Sequence, residues 1–236
     1  MLLTVFLFGV FSVFKAPGDP DFGWHYKYGE YIVQHGQILR QNIFSYTFPD
    51  YKWANSYWIS QVVIYLSHHY LGHLIAGLLF AGVLSLSAIF YVKTVAKNFR
   101  SAVLLIALST TLLFVEFSGS GVTGRPMYFS TLFLMLLVAL LFSDFGKTGT
   151  SHPRYAKLLV LPALSTPALF LLWANTHADF VLGLFILGLY IGSKVINDVK
   201  RGIRAVLMRS GLLVIAGVLS VAVTLLNPYG FGLFKE

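Results

Sequence analysis

The chain has 236 residues, of which 57% are hydrophobic and 11% are charged, with a mean hydropathy of +0.75. Soluble domains carry about 25% charged residues, so this composition excludes an ordinary soluble domain and indicates a polytopic membrane protein. The net charge of +8 is better explained by Lys and Arg in cytoplasmic loops than by a nucleic-acid partner. The absence of cysteine excludes disulfides and thiolate metal sites.

Seven apolar segments predict an all-α transmembrane helix bundle of about seven spans in a single domain. A helix rises about 1.5 Å per residue, so a hydrocarbon core of about 30 Å needs about 20 residues. Residues 1–14 fall short of that length, but they lack the basic start and small-residue cleavage site of a signal peptide, so we take them as the first span. The other predicted spans are 74–92, 102–117, 126–142, 158–173, 180–196 and 212–226.

A polar and aromatic stretch separates the first span from the rest of the bundle. Residues 15–57 are interrupted by Gly and Pro, and 28–35 predict a short helix within this exoplasmic loop. Residues 58–70 are apolar but too short to span, so we predict a helix along the membrane interface. It leads into 71–236, which holds the remaining spans and loops of the same domain.

The connecting loops differ in charge in a way that the span assignment did not assume. Loops after the second, fourth and sixth spans hold eleven Lys and Arg against two acids, whereas the opposite side holds six cations against seven acids. Cytoplasmic loops are enriched in Lys and Arg, so the basic side and the amino terminus are predicted to be cytoplasmic. The loop that carries Asp19 and Asp21 therefore faces outward.

Unusual polar residues recur in the outward segments, and the first of these runs from Asp19 to His25. Asp19 and Asp21 can hold a divalent cation, or one can take a proton from an attacking hydroxyl while the other orients it. The alternative is an ordinary turn, where Asp and Pro are common. Trp24 is expected as an interfacial anchor or as a surface for sugar stacking, and His25 as a loop histidine or a member of the site.

Further candidates lie at later outward turns. Arg125 precedes Pro126 at the start of the fourth span, where it can bind a phosphate together with the helix N-terminus, or anchor the helix among headgroups. Asn175, His177 and Asp179 lie in the tightest outward turn and can ligate or orient a substrate, or cap a helix. Residues on one membrane face converge when helices pack, so we predict one site at the outer surface.

Two other patterns are expected to be structural. His68, His69 and His73 contain a His-x-x-x-His spacing, but the Glu of a metalloprotease helix is absent and Gly72 interrupts the helix, so a zinc site is not expected there. Gly188 and Gly192 have the spacing that lets two transmembrane helices approach closely.

A set of motifs spread over nearly the whole chain resembles those of a large bacterial family of polytopic membrane proteins. They are Asp19-Pro-Asp-x-x-Trp-His25, Gly29-Glu-Tyr-Ile32, His35-Gly36, Asn42-x-Phe-Ser-Tyr-Thr47, Trp53 through Trp58, Arg125-Pro126, Trp173-Ala-Asn-x-His177 and Asn227-Pro-Tyr-Gly230. That family is similar to the GT-C superfamily of integral membrane glycosyltransferases, relatives of the protein mannosyltransferases and of the enzymes that add sugars to lipid A.

The resemblance implies a sugar on a polyprenyl phosphate, transferred at the exoplasmic face of the bacterial plasma membrane to a lipid, polysaccharide or protein acceptor. An Asp in the first outer loop is the catalytic group of GT-C enzymes, and this role maps to Asp19 or Asp21, with a divalent metal ion on the same pair as a further option. Arg125 and His177 are candidates for contacting the donor phosphate, on account of their chemistry and place. Trp24, His25 and Asn175 complete the set of candidate substrate-binding residues.

The chain departs from that family at several points. Tyr57 stands where an acidic residue often precedes Trp58, His177-Ala178-Asp179 replaces a His-Gly-Gly turn, and members are usually longer, so we expect an amino-terminal part or a minimal form. A transporter or flippase of lipid-linked sugars is one alternative function, disfavoured by the scarcity of charge inside the spans. The other is a non-catalytic assembly subunit, for which the outer residues would not converge.

Overall fold

The computed structural model describes residues 19–49, 51–95, 124–142 and 165–235, and within these ranges the chain is all-helical, as predicted. The predicted spans 1–14 and 102–117 lie outside the described residues, as does the first part of 158–173. The main helices are α1 (Phe22–His35), α2 (Trp58–Val95), α3 (Met127–Phe142), α4 (Ser165–Ala174), α5 (Phe180–Val199) and α6 (Gly211–Thr224). A short helix (Ile203–Ala205) and a π-helical turn (Val206–Ser210) precede α6, and a 3₁₀-helix (Gly230–Phe234) follows it.

Two helices are long and apolar enough to cross a membrane. They are Trp58–Phe90, which is most of α2, and Phe180–Val199, which is α5. The apolar helices α3, α4 and α6 are shorter. Four of the predicted spans coincide closely with described helices: 74–92, 126–142, 180–196 and 212–226.

Apolar side chains cover the outer surfaces of α5 and α6. Phe185 and Leu189 of α5 and Ile215 and Val218 of α6 are each more than half exposed. Apolar surface left in water is unfavourable by about 25 cal/mol per Å², whereas lipid tails solvate it. These surfaces therefore favour a lipid environment around the two helices.

A break at Gly72 divides α2 into two helical parts. Gly72 adopts φ 77° and ψ 166°, a backbone conformation outside the helical region that glycine reaches at little cost. The sequence predicted an interruption at this residue, between 58–70 and the span 74–92. The structure confirms the place of that interruption.

Helix α1 is longer than predicted, because it begins at Phe22 rather than near residue 28. The preceding turn is set by Asp19, whose backbone carbonyl accepts the Phe22 N–H at 3.3 Å and whose carboxylate accepts the Asp21 N–H at 3.1 Å. The helix ends at Gly36, which has a left-handed φ of 64°. The motif at 19–25, expected as loop, therefore forms the start of a helix.

Gly29 is the point at which α1 packs against the first part of α2. A methyl group there would overlap the backbone carbonyl of Gln61 and lie 2.8 Å from Cβ of Tyr65. Tyr28 and Ile32 of α1 are buried beside it. Since the atoms in the way are backbone and Cβ, the two helices would have to move apart to admit any side chain.

Replacement of Gly29 with alanine should therefore destabilise the fold by about 3 kcal/mol, at the upper end of the usual cost of overpacking. Thermal unfolding of the detergent-solubilised protein measures this as a lowered Tm. Gly23→Ala is the matched control on the same helix, because no described atom lies within 4 Å of a methyl group at that position. Equal Tm values for the two variants would contradict the close packing of α1 on α2.

The closest approaches between the later helices occur at glycines other than those predicted. The ring of Trp173 packs against Gly183 and leaves no room for a side chain there, and the end of the Ile191 side chain packs against Gly217. By contrast, no described atom lies within 4 Å of a side chain built at Gly188 or Gly192. The prediction of close packing at this pair is wrong for the described part of the chain.

Six helix ends meet at one end of the bundle. α1, α2, α3 and α5 begin there, while α4 and α6 end there, and hydrogen bonds join them. The Trp58 indole N–H donates to Asn175 Oδ1 at 2.8 Å, and the Asn227 side-chain amide donates to the Ala174 carbonyl at 2.8 Å. These bonds bring three separate polar segments of the sequence to the same end.

Candidate functional site

Asp19 and Arg125 form a bidentate ion pair although they lie 106 residues apart in sequence. Arg125 donates from Nε to Oδ2 at 2.6 Å and from Nη2 to Oδ1 at 2.8 Å. The Asp19 side chain is 1% exposed, whereas that of Arg125 is 27% exposed. Paired charge-assisted bonds of this kind fix the plane of the guanidinium, and here they leave part of it within reach of solvent.

The backbone before Arg125 is held in a conformation that requires glycine. Gly124 has φ 82°, and the ring of Phe80 lies where a side chain would be. Phe80 belongs to α2 and packs with Tyr128 of α3 in a buried cluster. The packing of α3 on α2 therefore positions Arg125 opposite Asp19.

Asp21 lies beside this pair but differs from Asp19 in its surroundings. It is exposed and precedes the first residue of α1, yet its carboxylate makes no capping hydrogen bond to that helix. The two carboxylates that the sequence analysis could not distinguish are therefore different in kind. Asp19 is buried and paired, and Asp21 is exposed to solvent.

His25 is buried one helical turn after Asp21. Gln61 accepts a hydrogen bond from the Asn55 side chain through Oε1 at 2.6 Å, so its amide N–H₂ faces His25 Nδ1 at 3.3 Å and the neutral ring carries its proton on Nε2. Burial lowers the pKa of His25 to about 4; the Asp19 charge opposes this effect, and His177 and Arg125 add to it. His25 is therefore neutral at pH 7.

We expect the folded protein to lose stability in acid because of His25. An unfolded histidine binds a proton below about pH 6.5, whereas folded His25 does so only near pH 4. The free energy of unfolding therefore decreases as the pH falls through this interval. The total decrease in the free energy of unfolding that His25 causes is about 3 kcal/mol. Tm measured across these pH values for the wild type and for His25→Gln tests this, because the variant should show a smaller dependence. The same slope in both proteins would contradict a buried neutral His25.

His177 is held by a second set of polar contacts. Its Nδ1 accepts the Asp179 backbone N–H at 3.2 Å and lies 3.2 Å from Ser130 Oγ, which itself accepts the Trp173 indole N–H at 2.6 Å. Burial lowers the pKa of His177, although the Asp179 carboxylate 3.1 Å away raises it. His177 is therefore also a neutral imidazole at pH 7.

Tyr57 lies between the two histidines. Its ring centroid is 5.6 Å from that of His25 and 5.2 Å from that of His177, in edge-on arrangements. Burial raises the pKa of the Tyr57 hydroxyl, and the nearby Asp179 and Asp21 carboxylates raise it further. Tyr57 was predicted only as a departure from a family pattern, and the structure makes it a central member of the cluster.

Gln61 and Ser130 were missed in the sequence. The available signal was weak, since each belongs to a pair of adjacent polar residues, Ser60-Gln61 and Ser130-Thr131, in a mostly apolar helical segment, where polar side chains are expected to have a specific partner. The partners are His25 and His177. Only the packing of the helices identifies them.

Trp24 and Asn175 were both predicted to bind substrate, and their positions differ. Trp24 is half-buried and stacks on His25, with ring centroids 4.0 Å apart, so one face of the indole is used within the protein. Asn175 is buried and bonded through both side-chain atoms, to Trp58 and to the Leu171 carbonyl. The contacts of Asn175 favour a structural role at the end of α4.

The two aspartates do not fit a divalent cation well. Both oxygens of Asp19 are engaged by the Arg125 guanidinium, whose positive charge would repel a metal ion. Within the described residues no group of three or more His, Asp or Glu side chains is arranged to hold a metal. Hard cations prefer several oxygen ligands, so the arrangement favours an anion at Arg125 over a cation at Asp19.

No family model, curated protein or solved structure matches the chain. The chemistry of the cluster therefore rests on its own residues. They are one partly exposed cation, one exposed carboxylate, two neutral imidazoles and a phenol at the end of a largely apolar bundle.

Proposed function

We propose that this protein is a GT-C-like membrane glycosyltransferase that moves a sugar from a polyprenyl-phosphate donor to an acceptor at the exoplasmic face of a bacterial plasma membrane. The observation that carries the proposal is the bidentate Asp19–Arg125 pair beside His25 and His177. It combines a fixed guanidinium for a phosphate with an exposed carboxylate, Asp21, for proton transfer. The apolar helices suit a donor whose tail stays in lipid.

Arg125 is the group assigned to the donor phosphate. Its guanidinium is held by Asp19 and is partly exposed, and it lies just before the first residue of α3. A helix N-terminus adds backbone N–H donors and a favourable dipole for an anion. Negative charge that grows on the leaving phosphate is therefore stabilised by donors already in position.

Asp21 is the group assigned to the acceptor hydroxyl. In an inverting transfer, the acceptor oxygen forms a bond to the anomeric carbon while the bond from that carbon to the phosphate oxygen breaks. The lipid phosphate leaves with the electron pair, and the acceptor proton passes to the Asp21 carboxylate. Asp19 then acts as a positioning residue, because its carboxylate is engaged by the guanidinium.

The two histidines contribute hydrogen bonds rather than charge. The pKa of each is lowered by burial, so neither is a cation at pH 7. Arg125 is the cation assigned to the phosphate; because its charge is balanced by Asp19, the attraction comes from its partly exposed N–H groups and from the N-terminus of α3. His25 and His177 can still donate through a neutral ring to substrate oxygens.

A bundle of about seven spans with a cytoplasmic amino terminus is part of this proposal. Two described helices are long and apolar enough to span, and the basic loops are at the end opposite to the cluster in the predicted topology. The joining of four chain segments around Asp19, Arg125, Tyr57 and His177 supports an enzyme over a non-catalytic assembly subunit. The described spans carry little charge, which argues against a route for a transported sugar.

Copurification of the donor tests the proposal. The protein is purified in mild detergent from a bacterial membrane, and its lipid extract is analysed by mass spectrometry for a polyprenyl phospho-sugar. We expect this lipid with the wild type and about tenfold less with Arg125→Gln, since a bidentate charge-assisted contact is worth more than 1 kcal/mol. Recovery of equal amounts from both proteins, or of none from the wild type, would contradict the proposal.

A further inference from the structure

A cleft lined by aromatic rings lies beside Trp24, the residue that stacks on His25. It has a volume of about 360 Å³ and lies between α1 and the segment that follows it. Its walls are Trp24, Tyr28, Asn42, Phe44, Ser45, Tyr51 and Trp53. The function proposed above assigns a role to none of these residues, so the cleft needs an explanation of its own.

A second cleft continues the first along α1. It has a volume of about 480 Å³ and shares Trp24 and Phe44 with the aromatic cleft. Its other walls are mostly polar: Gly23, Lys27, Glu30, Tyr31 and Gln34. Small-molecule sites usually occupy about 300–1,000 Å³, so each cleft falls within that range, and so do the two together.

The wall that faces α1 is fixed by Asn42. The Asn42 side-chain carbonyl accepts the backbone N–H groups of Phe44 and Ser45 at 3.0 and 3.2 Å and the Tyr28 hydroxyl at 3.0 Å. The Asn42 backbone N–H donates to the Tyr51 carbonyl at 2.7 Å, which closes the loop. A wall held by four hydrogen bonds is preorganised, so a ligand would not have to order it.

The rings in the aromatic cleft have different orientations. Relative to Trp53, the plane of Trp24 is inclined by 60° and that of Tyr28 by 84°, while Phe44 is inclined by 68° to Tyr28. The face of an aromatic ring is electron-rich and attracts polarised C–H groups. A saccharide offers C–H faces to such rings and hydroxyl groups to amides, hydroxyls and carboxylates at the edge of a site.

We infer that the two clefts bind a saccharide, namely the carbohydrate part of the acceptor. This inference rests on the proposed function and restricts the acceptor to a glycan or glycolipid. Trp24 lines both clefts and stacks on His25 with ring centroids 4.0 Å apart, and Gly23, two residues after Asp21, lines the second cleft, so a bound glycan lies near the proposed site. A lipid acyl chain suits the clefts less well, since it would lie against Lys27, Glu30 and Gln34.

Saturation-transfer NMR on the full chain in nanodiscs tests this inference. The probes are soluble disaccharides built from glucose, galactose, mannose and N-acetylglucosamine. We expect transfer to ring C–H protons of at least one disaccharide, and binding about tenfold weaker in Phe44→Ala and in Tyr51→Ala, since each removes one aromatic contact. Tyr46→Ala is the matched control, because Tyr46 lies in the same loop, is 98% exposed and does not line either cleft.

The outcomes separate this inference from the proposed function. Disaccharide binding that is lost with Phe44 or Tyr51 but unaffected at Tyr46 supports the saccharide cleft even if no polyprenyl phospho-sugar copurifies. Absence of transfer to every disaccharide, or equal binding by all three variants, overturns it even if the donor copurifies. Unchanged Tm values in the three variants show that the exposed loop positions do not alter the fold.

Discussion

Replacement of Arg125 with alanine should lower the free energy of unfolding by about 3 kcal/mol, which is the usual cost of leaving one member of a buried ion pair without the other. The Asp19 side chain is 1% exposed, so its negative charge would remain in a region of low dielectric without the guanidinium. Adding Asp19→Asn to this variant removes the charge and should recover most of the stability. Tm values for the two single variants and the double variant give the coupling between the residues.

The same double variant distinguishes structure from function. It should fold nearly as stably as the wild type and yet copurify with little polyprenyl phospho-sugar, because the group that holds the phosphate has gone. Arg125→Lys is the conservative comparison, since a lysine keeps the charge but cannot bond to both carboxylate oxygens in one plane. A double variant that remains as unstable as Arg125→Ala would contradict the coupling. One that retains the donor would contradict the assignment of Arg125.

Substitution of Asp21 with asparagine should lower the rate of transfer by about 100- to 10,000-fold, the range expected for loss of a general base. Stability should change little, since this exposed carboxylate makes no capping bond. The measurement is sugar transfer from the copurified donor, at saturating acceptor, with Tm recorded on the same samples. Asp21→Glu keeps a carboxylate and should retain more activity than Asp21→Asn.

Asp19→Asn provides the contrast for this experiment. Its main effects should be on stability and on donor retention, because Asp19 acts through Arg125. Full activity in Asp21→Asn together with inactivity in a stable Asp19→Asn protein would reverse the two roles. Undiminished transfer in the variant that carries both substitutions would exclude carboxylate catalysis at this site.

Much of the secondary structure was predictable from local patterns. The spans at 180–196 and 212–226 match α5 and α6, and the interruption of α2 at Gly72 was expected from glycine in an apolar helix. The start of α1 was misplaced. Gly and Pro near the motif suggested a loop, whereas the Asp19 carbonyl and carboxylate form a turn that leads directly into the helix.

The candidate site was predictable in composition but not in arrangement. The sequence supplied Asp19, Asp21, Arg125 and His177 as polar residues at turns predicted to face outward, without distinguishing the two aspartates. The pairing of Asp19 with Arg125 depends on α1 lying against α2 at Gly29 and α3 lying against α2 at Phe80. Neither contact has a signal in the spacing of residues along the chain.

The sequence by itself determined that the described part of the chain is helical, that the chain is largely apolar, and that polar groups gather in short segments between apolar ones. Helices form through hydrogen bonds between residues four apart, and a segment's preference for lipid depends on its own side chains, so both properties are local. Only the tertiary structure decided that one aspartate is buried against a guanidinium while the other is exposed, that two histidines are neutral, and that a tyrosine lies between them. These properties depend on burial and on charges brought together from distant parts of the chain, and both are set by how the helices pack.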